Sequence, residues 1–435
     1  MNLLLIVPRR GPLYPLLLKR LFYIPSLTAA TIASLTPAGN QITIVDENVK
    51  NFSWHDYTRL SIDLVGISVH TQSAPRAYQL ADFFRAKGVT VVLGGIHVSA
   101  LPQEALKHAD AVVIGEAEDL WQRLIEDFTS GRLEKIYQSE RFPCLEDRPL
   151  PRLDLLSYKS LFNLQTIQTS RGCPYNCAFC SASKFYGLKP RQRSVSSIID
   201  ELRQRSCRYV FFVDEHLTAV EEYAKELFAA LAKLKIAWGA QAHISVASNQ
   251  ELLNLARHSG CRMLMLGFDS VLNDSLRGVR KQHNQPENYV KAVREIKKAG
   301  IAVAGAFMLG FDQDDKDIFD KTVAMAVEMG IDVAYFFILT PYPGTELYQQ
   351  FQRQRRIIDR DWSKYDCSHV VFQPKQMSPS QLLDGFGWSW KKFYTTKKVL
   401  DRLAKRPNLV VIAYNLFYFV AWRFHLSKYL SVDKR

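Results

Sequence analysis

Cysteine is scarce in this chain, with seven in 435 residues, and a set that sparse and odd in number excludes a disulfide-stapled scaffold. Three of the seven, Cys173, Cys177 and Cys180, fall close together, but no second pair accompanies them, which argues against a closed four-ligand zinc site. No GxGxxG occurs, so a dinucleotide site is disfavoured. The apolar run at 409–422 is broken only by Asn415 and falls short of the roughly 18 to 20 residues that span a bilayer. At the amino end the apolar stretch is brief, and Arg9 and Arg10 follow it, whereas an export signal places its cations first. A cytoplasmic protein in a reducing compartment is expected.

A length of 435 residues with 47% apolar content allows two or three domains with sizeable cores. The formal charge of +13 is concentrated at the carboxyl end, where residues 351–435 carry 17 Lys and Arg against 6 Asp. The remaining basicity is slight.

Residues 1–131 alternate short β-rich runs with amphipathic stretches. Strands are expected over Asn2–Val7, Gln41–Asp46, Leu64–Ser68, Thr90–Gly94 and Ala111–Ile114, with helices over 74–87 and 117–130. This pattern predicts a parallel, doubly wound, Rossmann-like sheet, whose ligand sits at the carboxyl ends of the strands. Those ends carry Ser68 and Thr71, then Gly94, Gly95 and His97, then Gly115 and Glu116. Glycines there allow the backbone close to a bulky ligand.

Pro143, Pro149 and Pro151 mark 132–163 as a linker. From 164 to 345 the βα alternation resumes, with strands expected over 164–170, 209–213, Ala237–Ala242, 263–267, 302–308 and Val333–Ile338. Six units are too few for a closed eight-stranded barrel, so a partial barrel with its active face at the strands' carboxyl ends is expected. Residues 346–435 read as a basic, mostly helical extension.

The cysteine loop follows directly on the first of these six strands. In Ser170-Arg171-Gly172-Cys173-Pro174-Tyr175-Asn176-Cys177-Ala178-Phe179-Cys180 the CxxxCxxC spacing gathers three thiolates on one loop, as an iron–sulfur cluster requires. Three thiolates on a four-iron cluster leave one iron open to a substrate or cofactor. The other cysteines, Cys144, Cys207, Cys261 and Cys367, are scattered and read as structural thiols.

With Phe179 just before its last cysteine, this motif resembles that of the radical S-adenosylmethionine enzymes. The resemblance implies a 4Fe-4S cluster whose fourth iron is chelated by S-adenosylmethionine, and reductive cleavage to a 5′-deoxyadenosyl radical. It implies contacts to that cofactor from Asp214 or Glu215 after the second barrel strand, although Asp214 also suits a helix cap before Val220. Gly267, Asp269 and Ser270 resemble the family's ribose-contacting Gly-Phe-Glu-Ser, with Asp in place of Glu. Gly305 and Gly310, beside the fifth strand, are candidates for close approach of the adenosyl group or are turn residues. Tyr342 is a candidate for reaching the substrate cavity, or a loop anchor between two prolines. His216 and His243 lie near strand ends, where proton transfer is conceivable.

The segments Gly-Gly-Ile-His-Val-Ser-Ala-Leu-Pro and Ile-Gly-Glu-Ala-Glu resemble the cobalamin-binding domain of one large subgroup of that family. Its cofactor contacts would fall on Ser68, Thr71, Gly94, Gly95, His97, Gly115 and Glu116, with His70 a further candidate. Asn48 stands where many cobalamin domains carry the cobalt-binding histidine of DxHxxG, so no cobalt ligand is expected there. The resemblance implies methylation of an unactivated carbon: one S-adenosylmethionine methylates cob(I)alamin, and a second yields the radical that removes a substrate hydrogen. A cyclase or ring-rearranging enzyme with the same cofactors and a non-catalytic corrinoid or iron–sulfur sensor are the rivals. A transfer RNA methylthiolase is disfavoured, because no cysteine precedes Cys144 to hold a second cluster.

The tail's aromatics, bounded by Lys405, Arg406, Arg423 and Lys428, suit either a helix at an anionic membrane surface or a core helix on the barrel. It resembles an extension of relatives that act on hopanoids or tetrapyrroles, implying a small hydrophobic substrate. An external reductant such as flavodoxin or ferredoxin is expected, and no nucleic acid, since no RNA-binding module accompanies the charge.

Overall fold

The computed structural model describes residues 1–10, 25–49, 52–146, 148–156, 164–405 and 409–424. Two six-stranded parallel sheets dominate it. The first comprises β1 (Asn2–Val7), β2 (Gln41–Asp46), β3 (Leu64–Ser68), β4 (Thr90–Gly94), β5 (Ala111–Ile114) and β6 (Ile136–Gln138), in the order β2-β1-β3-β4-β5-β6. Its apolar runs are nearly continuous because both faces are buried. Leu4, Ile6, Val65 and Ile67 pack with the helix Ala74–Arg85, while Leu3, Leu5, Leu64 and Val92 pack with the helix Trp121–Thr129. The strand order reverses between β1 and β3, and that switch point opens a crevice at the carboxyl ends of the strands.

The first five strands lie at the expected positions. The sixth was not expected: β6 pairs with β5 and buries Tyr137, so this sheet continues past residue 131 into the segment read as linker. Three residues are too few to show a period in the sequence.

The second sheet is built from β7 (Leu164–Ile167), β10 (Tyr209–Phe212), β11 (Ala237–Ala242), β12 (Cys261–Asp269), β13 (Ala302–Leu309) and β14 (Val333–Ile338), in the order β14-β13-β12-β11-β10-β7. A short antiparallel hairpin, β8 (Ser170–Arg171) with β9 (Arg191–Gln192), flanks the cysteine loop. Six strands leave this barrel open, with β7 and β14 as edges.

An open edge exposes unpaired backbone groups, and here side chains from the helix Pro379–Phe393 satisfy those of β14. The Tyr394 hydroxyl, just past that helix, accepts from the Ala334 N–H at 3.1 Å and donates to the Ala334 carbonyl at 2.9 Å. Trp390 Nε1 donates to the Phe336 carbonyl at 3.2 Å.

The helix Leu409–Phe424 then packs across the open side of the barrel, with Val411 and Asn415 fully buried. Val411, Tyr414 and Tyr418 join Met263, Met265, Ala302, Ala304, Val333 and Tyr335 in one apolar cluster. Of the two readings of the tail, this face is a core helix. Asn415, the residue that breaks the apolar run, bonds the start of β14.

Candidate active site

The cysteine loop is fastened at several points. The Cys173 N–H donates to the Gly187 carbonyl at 3.2 Å, the Ala178 N–H to Val279 at 2.9 Å and the Cys180 N–H to Cys177 at 3.0 Å. Gly172 sits at φ 95°, where a side chain would drive a Cβ to 2.6 Å from the Lys189 carbonyl, so only glycine permits this approach. Burial, with a smaller contribution from neighbouring thiols, raises the pKa of Cys173 and pushes that of Cys177 up to about 12. Among the described residues no three His, Cys, Asp or Glu side chains converge on a single metal ion. Three thiols on one loop suit a polynuclear cluster, in which each thiolate would meet a different iron.

Asp214 and Glu215 occupy different environments. Asp214 is fully buried, and its carboxylate accepts the Thr169 and Ser170 hydroxyls, each at 2.7 Å, together with both backbone N–H groups. It caps no helix; it anchors the segment that leads into the cysteines. Glu215 lines the cavity described below, and its Oε2 is buried with no hydrogen-bond partner. Burial raises its pKa to about 7. An orphaned carboxylate oxygen beside the cluster loop fits an ammonium group.

Asp269 adopts φ 60° and is paired with Lys281, a cation whose side chain is 12% exposed and that the sequence did not single out. Lys281 also acts electrostatically on Cys177 and Cys180 and lies 6.0 Å from the centre of the Phe179 ring. A Cβ on Gly267 would lie 3.1 Å from Lys281 Nζ, so this glycine faces the same group. Ser270 is buried, with its hydroxyl accepting from the Leu272 N–H at 3.1 Å. Gly305 lies within β13, and Gly310, at φ 103°, turns the chain just after it, as the turn reading expects. A Cβ on Gly305 would strike Ile331 at 2.6 Å, and one on Gly310 would strike Leu382 at 2.7 Å, so both serve packing on the outer side of the sheet.

Four rings stack above the strand ends beside this loop. Tyr175 lies flat on His283 at 3.7 Å and approaches His243 at 4.7 Å and His216 at 5.8 Å. Burial holds His216 to a pKa of about 3 and His243 and His283 to about 4, so all three are neutral at physiological pH. His243 Nε2 meets Asn284 Oδ1 at 2.8 Å. Tyr342 turns to Cys367, with its hydroxyl 3.2 Å from the sulfur, as a loop anchor would.

A cavity of about 1080 Å³ separates the two sheets. Ser68, Gly94, Gly95, Gly115 and Glu116 line it from the first sheet, together with His70, Asp46 and Asn48. Arg10 Nη2 donates to His70 Nε2 at 2.7 Å, and burial plus that guanidinium lowers the imidazole pKa to about 3. Asn48 Nδ2 donates to Asp46 Oδ1 at 2.8 Å and to the Pro8 carbonyl at 3.2 Å, so this amide is already engaged. Gly115, at φ 81°, has nothing within 4 Å of a built Cβ and leaves open space for a bulky ligand.

Thr71 and His97 are not among the described lining residues. His97 is fully buried, its ring between Thr71 Oγ1 and Glu104 Oε1, each 3.3 Å away, and Trp362 donates to the same Glu104 oxygen at 2.9 Å. The short helix Ile96–Ala100 turns this side chain into the domain, which no feature of the Gly-Gly-Ile-His string reveals. From the barrel come Phe211, Met263, Met265, Tyr335 and Phe337, and from the terminal helix Tyr414, Phe417 and Tyr418.

A flavodoxin-like sheet set over a partial βα barrel, with an open cavity between and a three-thiol loop beside it, defines an enzyme that brings two large cofactors to one substrate. Residues 15–125 match the B12 binding domain and residues 167–326 the Radical SAM superfamily. The chain belongs to the cobalamin-dependent radical S-adenosylmethionine enzymes, and its cofactors are a 4Fe-4S cluster, S-adenosylmethionine and cobalamin. It is similar to bacteriochlorophyllide d C-12(1)-methyltransferase of Chlorobaculum tepidum, 29% identical over 88% of this chain and 85% of that one. The C-8(2)-methyltransferase of the same organism is 29% identical over 94% of this chain and 93% of that one. Hopanoid C-2 methylase of Rhodopseudomonas palustris is 27% identical, covering 80% of this chain and 68% of that one. In fold, the cobalamin-dependent S-adenosylmethionine radical enzyme OxsB, solved with aqua-cobalamin and S-adenosylmethionine bound, superposes with a TM-score of 0.70 at 15% identity, covering 100% of this chain and 73% of that one.

Proposed function

We propose that this enzyme methylates an unactivated carbon of a flat, hydrophobic ring substrate. The observation that carries the reading is the cavity, in which the glycines of the first sheet, Glu215 and a wall of aromatic and methionine side chains face one another. Bound cofactors supply an adenosyl radical from the cluster side and a transferable methyl group from the corrin side. Cys173, Cys177 and Cys180 hold the cluster, Glu215 takes the amino group of S-adenosylmethionine, and Lys281 stands ready for its carboxylate. Ser68, Gly94, Gly95 and Gly115 form the corrin floor. Tyr335, Tyr414 and Tyr418 exclude water from the reacting carbon, as radical chemistry requires.

The names of the similar methyltransferases, which refer to bacteriochlorophyllides and hopanoids, support a substrate of this polarity. An external one-electron donor such as flavodoxin or ferredoxin completes the cycle. Peripheral membrane contact is proposed for the outward side of the extension, where Leu400 and Leu416 are exposed; among the described residues no helix is long and apolar enough to cross a membrane. The test is anaerobic reconstitution with cobalamin and methyl-labelled S-adenosylmethionine, offered bacteriochlorophyllide d and a hopanoid. Label in the product carbon supports the reading. Ring closure without label points to a cyclase, and 5′-deoxyadenosine absent under strong reductant points to a sensor.

A further inference from the structure

The hairpin beside the cysteine loop carries an unfavourable pairing. Arg171 of β8 and Arg191 of β9 are direct cross-strand partners, and like charges in that position repel. Both are largely buried, with side chains 14% and 17% exposed, so water does little to screen them. The compensation comes from the other domain. Glu116, 2% exposed, pairs through one carboxylate oxygen with Arg171 and through the other with Arg191. Glu118, 8% exposed, pairs with Arg171 at 2.6 Å. Two cations and two anions thus form a neutral buried network whose halves belong to different sheets.

The two ends of this network matter. Arg171 lies two residues before Cys173, and the hairpin holds the cysteine loop through the Cys173 N–H and the Gly187 carbonyl. Glu116 directly follows Gly115, which faces the open cavity. Buried ion pairs seldom add much net stability, since desolvation offsets the attraction, but their geometry is demanding and their removal leaves an uncompensated charge. Such a network fixes position.

We propose that Glu116 and Glu118, clamped by Arg171 and Arg191, are positioning residues that set the distance between the corrin and the cluster. This rests on the cofactor assignment above. Small displacements of reacting groups are costly, with about 1 Å worth about 100-fold in rate.

The test is pulsed electron paramagnetic resonance on the full chain, reconstituted with cluster and cobalamin, measuring the distance from reduced cluster to cob(II)alamin. A single narrow distance is expected for the native protein, and a longer, broader one for Glu116→Gln with both cofactors still bound. Methyl transferred per 5′-deoxyadenosine should fall about 100-fold in that variant, and Arg191→Lys, which keeps the charge opposite an intact Glu116, should retain much of the native distance. An unchanged distance in Glu116→Gln overturns the proposal, even if the protein melts at a lower temperature. Should that variant fail to hold its cofactors, Glu118→Gln is read by the same distance, and a native value there overturns it equally. Native protein that binds no corrin refutes the cofactor assignment instead.

Discussion

The side-chain amide of Asn415 donates to the carbonyl of Asp332 at 2.8 Å, across 83 residues of sequence. The same side chain accepts from Arg402 Nε at 3.0 Å, so one buried amide joins the terminal helix, its preceding helix and the start of β14. An apolar substitution there leaves the Asp332 carbonyl and the guanidinium of Arg402 without this partner. Asn415→Leu should lower stability by about 1–3 kcal/mol, seen as a reduced chemical-denaturation midpoint with an unchanged slope.

The wall formed by Tyr414 and Phe417 should govern the substrate rather than the cofactors. Phe417→Ala is expected to raise KM for the ring substrate about 10-fold or more, consistent with the loss of about 1.5–3 kcal/mol of apolar contact. Binding of S-adenosylmethionine and formation of 5′-deoxyadenosine without substrate should remain near native. An equal loss in both would assign the residue a structural role.

Glu215 leads to a pH dependence with a definite sign. Burial raises its pKa to about 7, so the carboxyl is neutral below that value and cannot pair with the ammonium of S-adenosylmethionine. Affinity for the cofactor should therefore strengthen from about pH 6 to about pH 8 and level off above. Glu215→Gln should bind about 10- to 100-fold more weakly, the equivalent of a lost hydrogen bond to a charged group, and its titration by calorimetry should lack the rise.

Asp214 should behave as an anchor. Asp214→Ala strands the Thr169 and Ser170 donors in a fully buried site, costing about 3–5 kcal/mol, and should prevent cluster assembly even though no iron ligand is removed. Normal iron content with a native melting temperature would count against this.

Replacement of Cys173, Cys177 or Cys180 by alanine should abolish the broad visible absorbance and the low-temperature resonance of the reduced cluster. Cys207→Ala and Cys261→Ala, which empty small apolar sites in the barrel core, should reduce stability alone. Iron and sulfide analysis separates the two outcomes.

The strands were legible in sequence because each is a local apolar run bounded by turn residues, and all five expected in the first sheet match β1 to β5 in extent. β6 escaped because three residues have no period. The three cysteines were legible for the same reason: their spacing lies within one loop and needs no partner from elsewhere. His97 looked like a cofactor contact from its neighbours, yet its direction is set by the turn of a five-residue helix and by Glu104 and Trp362, which come from other parts of the chain. Glu215 and Asp214 are adjacent in sequence, and only the partners that the fold brings to each divide them into an orphaned carboxylate and a saturated one.

The amino-acid sequence alone determined the two βα arrays, the thiol triad and the glycines at the strand ends, since these depend on period, spacing and the absence of a Cβ. Tertiary structure decided which tail face is buried, why Asn415 interrupts it and how Arg171 and Arg191 come to share one carboxylate. Those outcomes join residues 55 to 83 positions apart, and no pattern along a chain records which charges meet once two sheets close on each other.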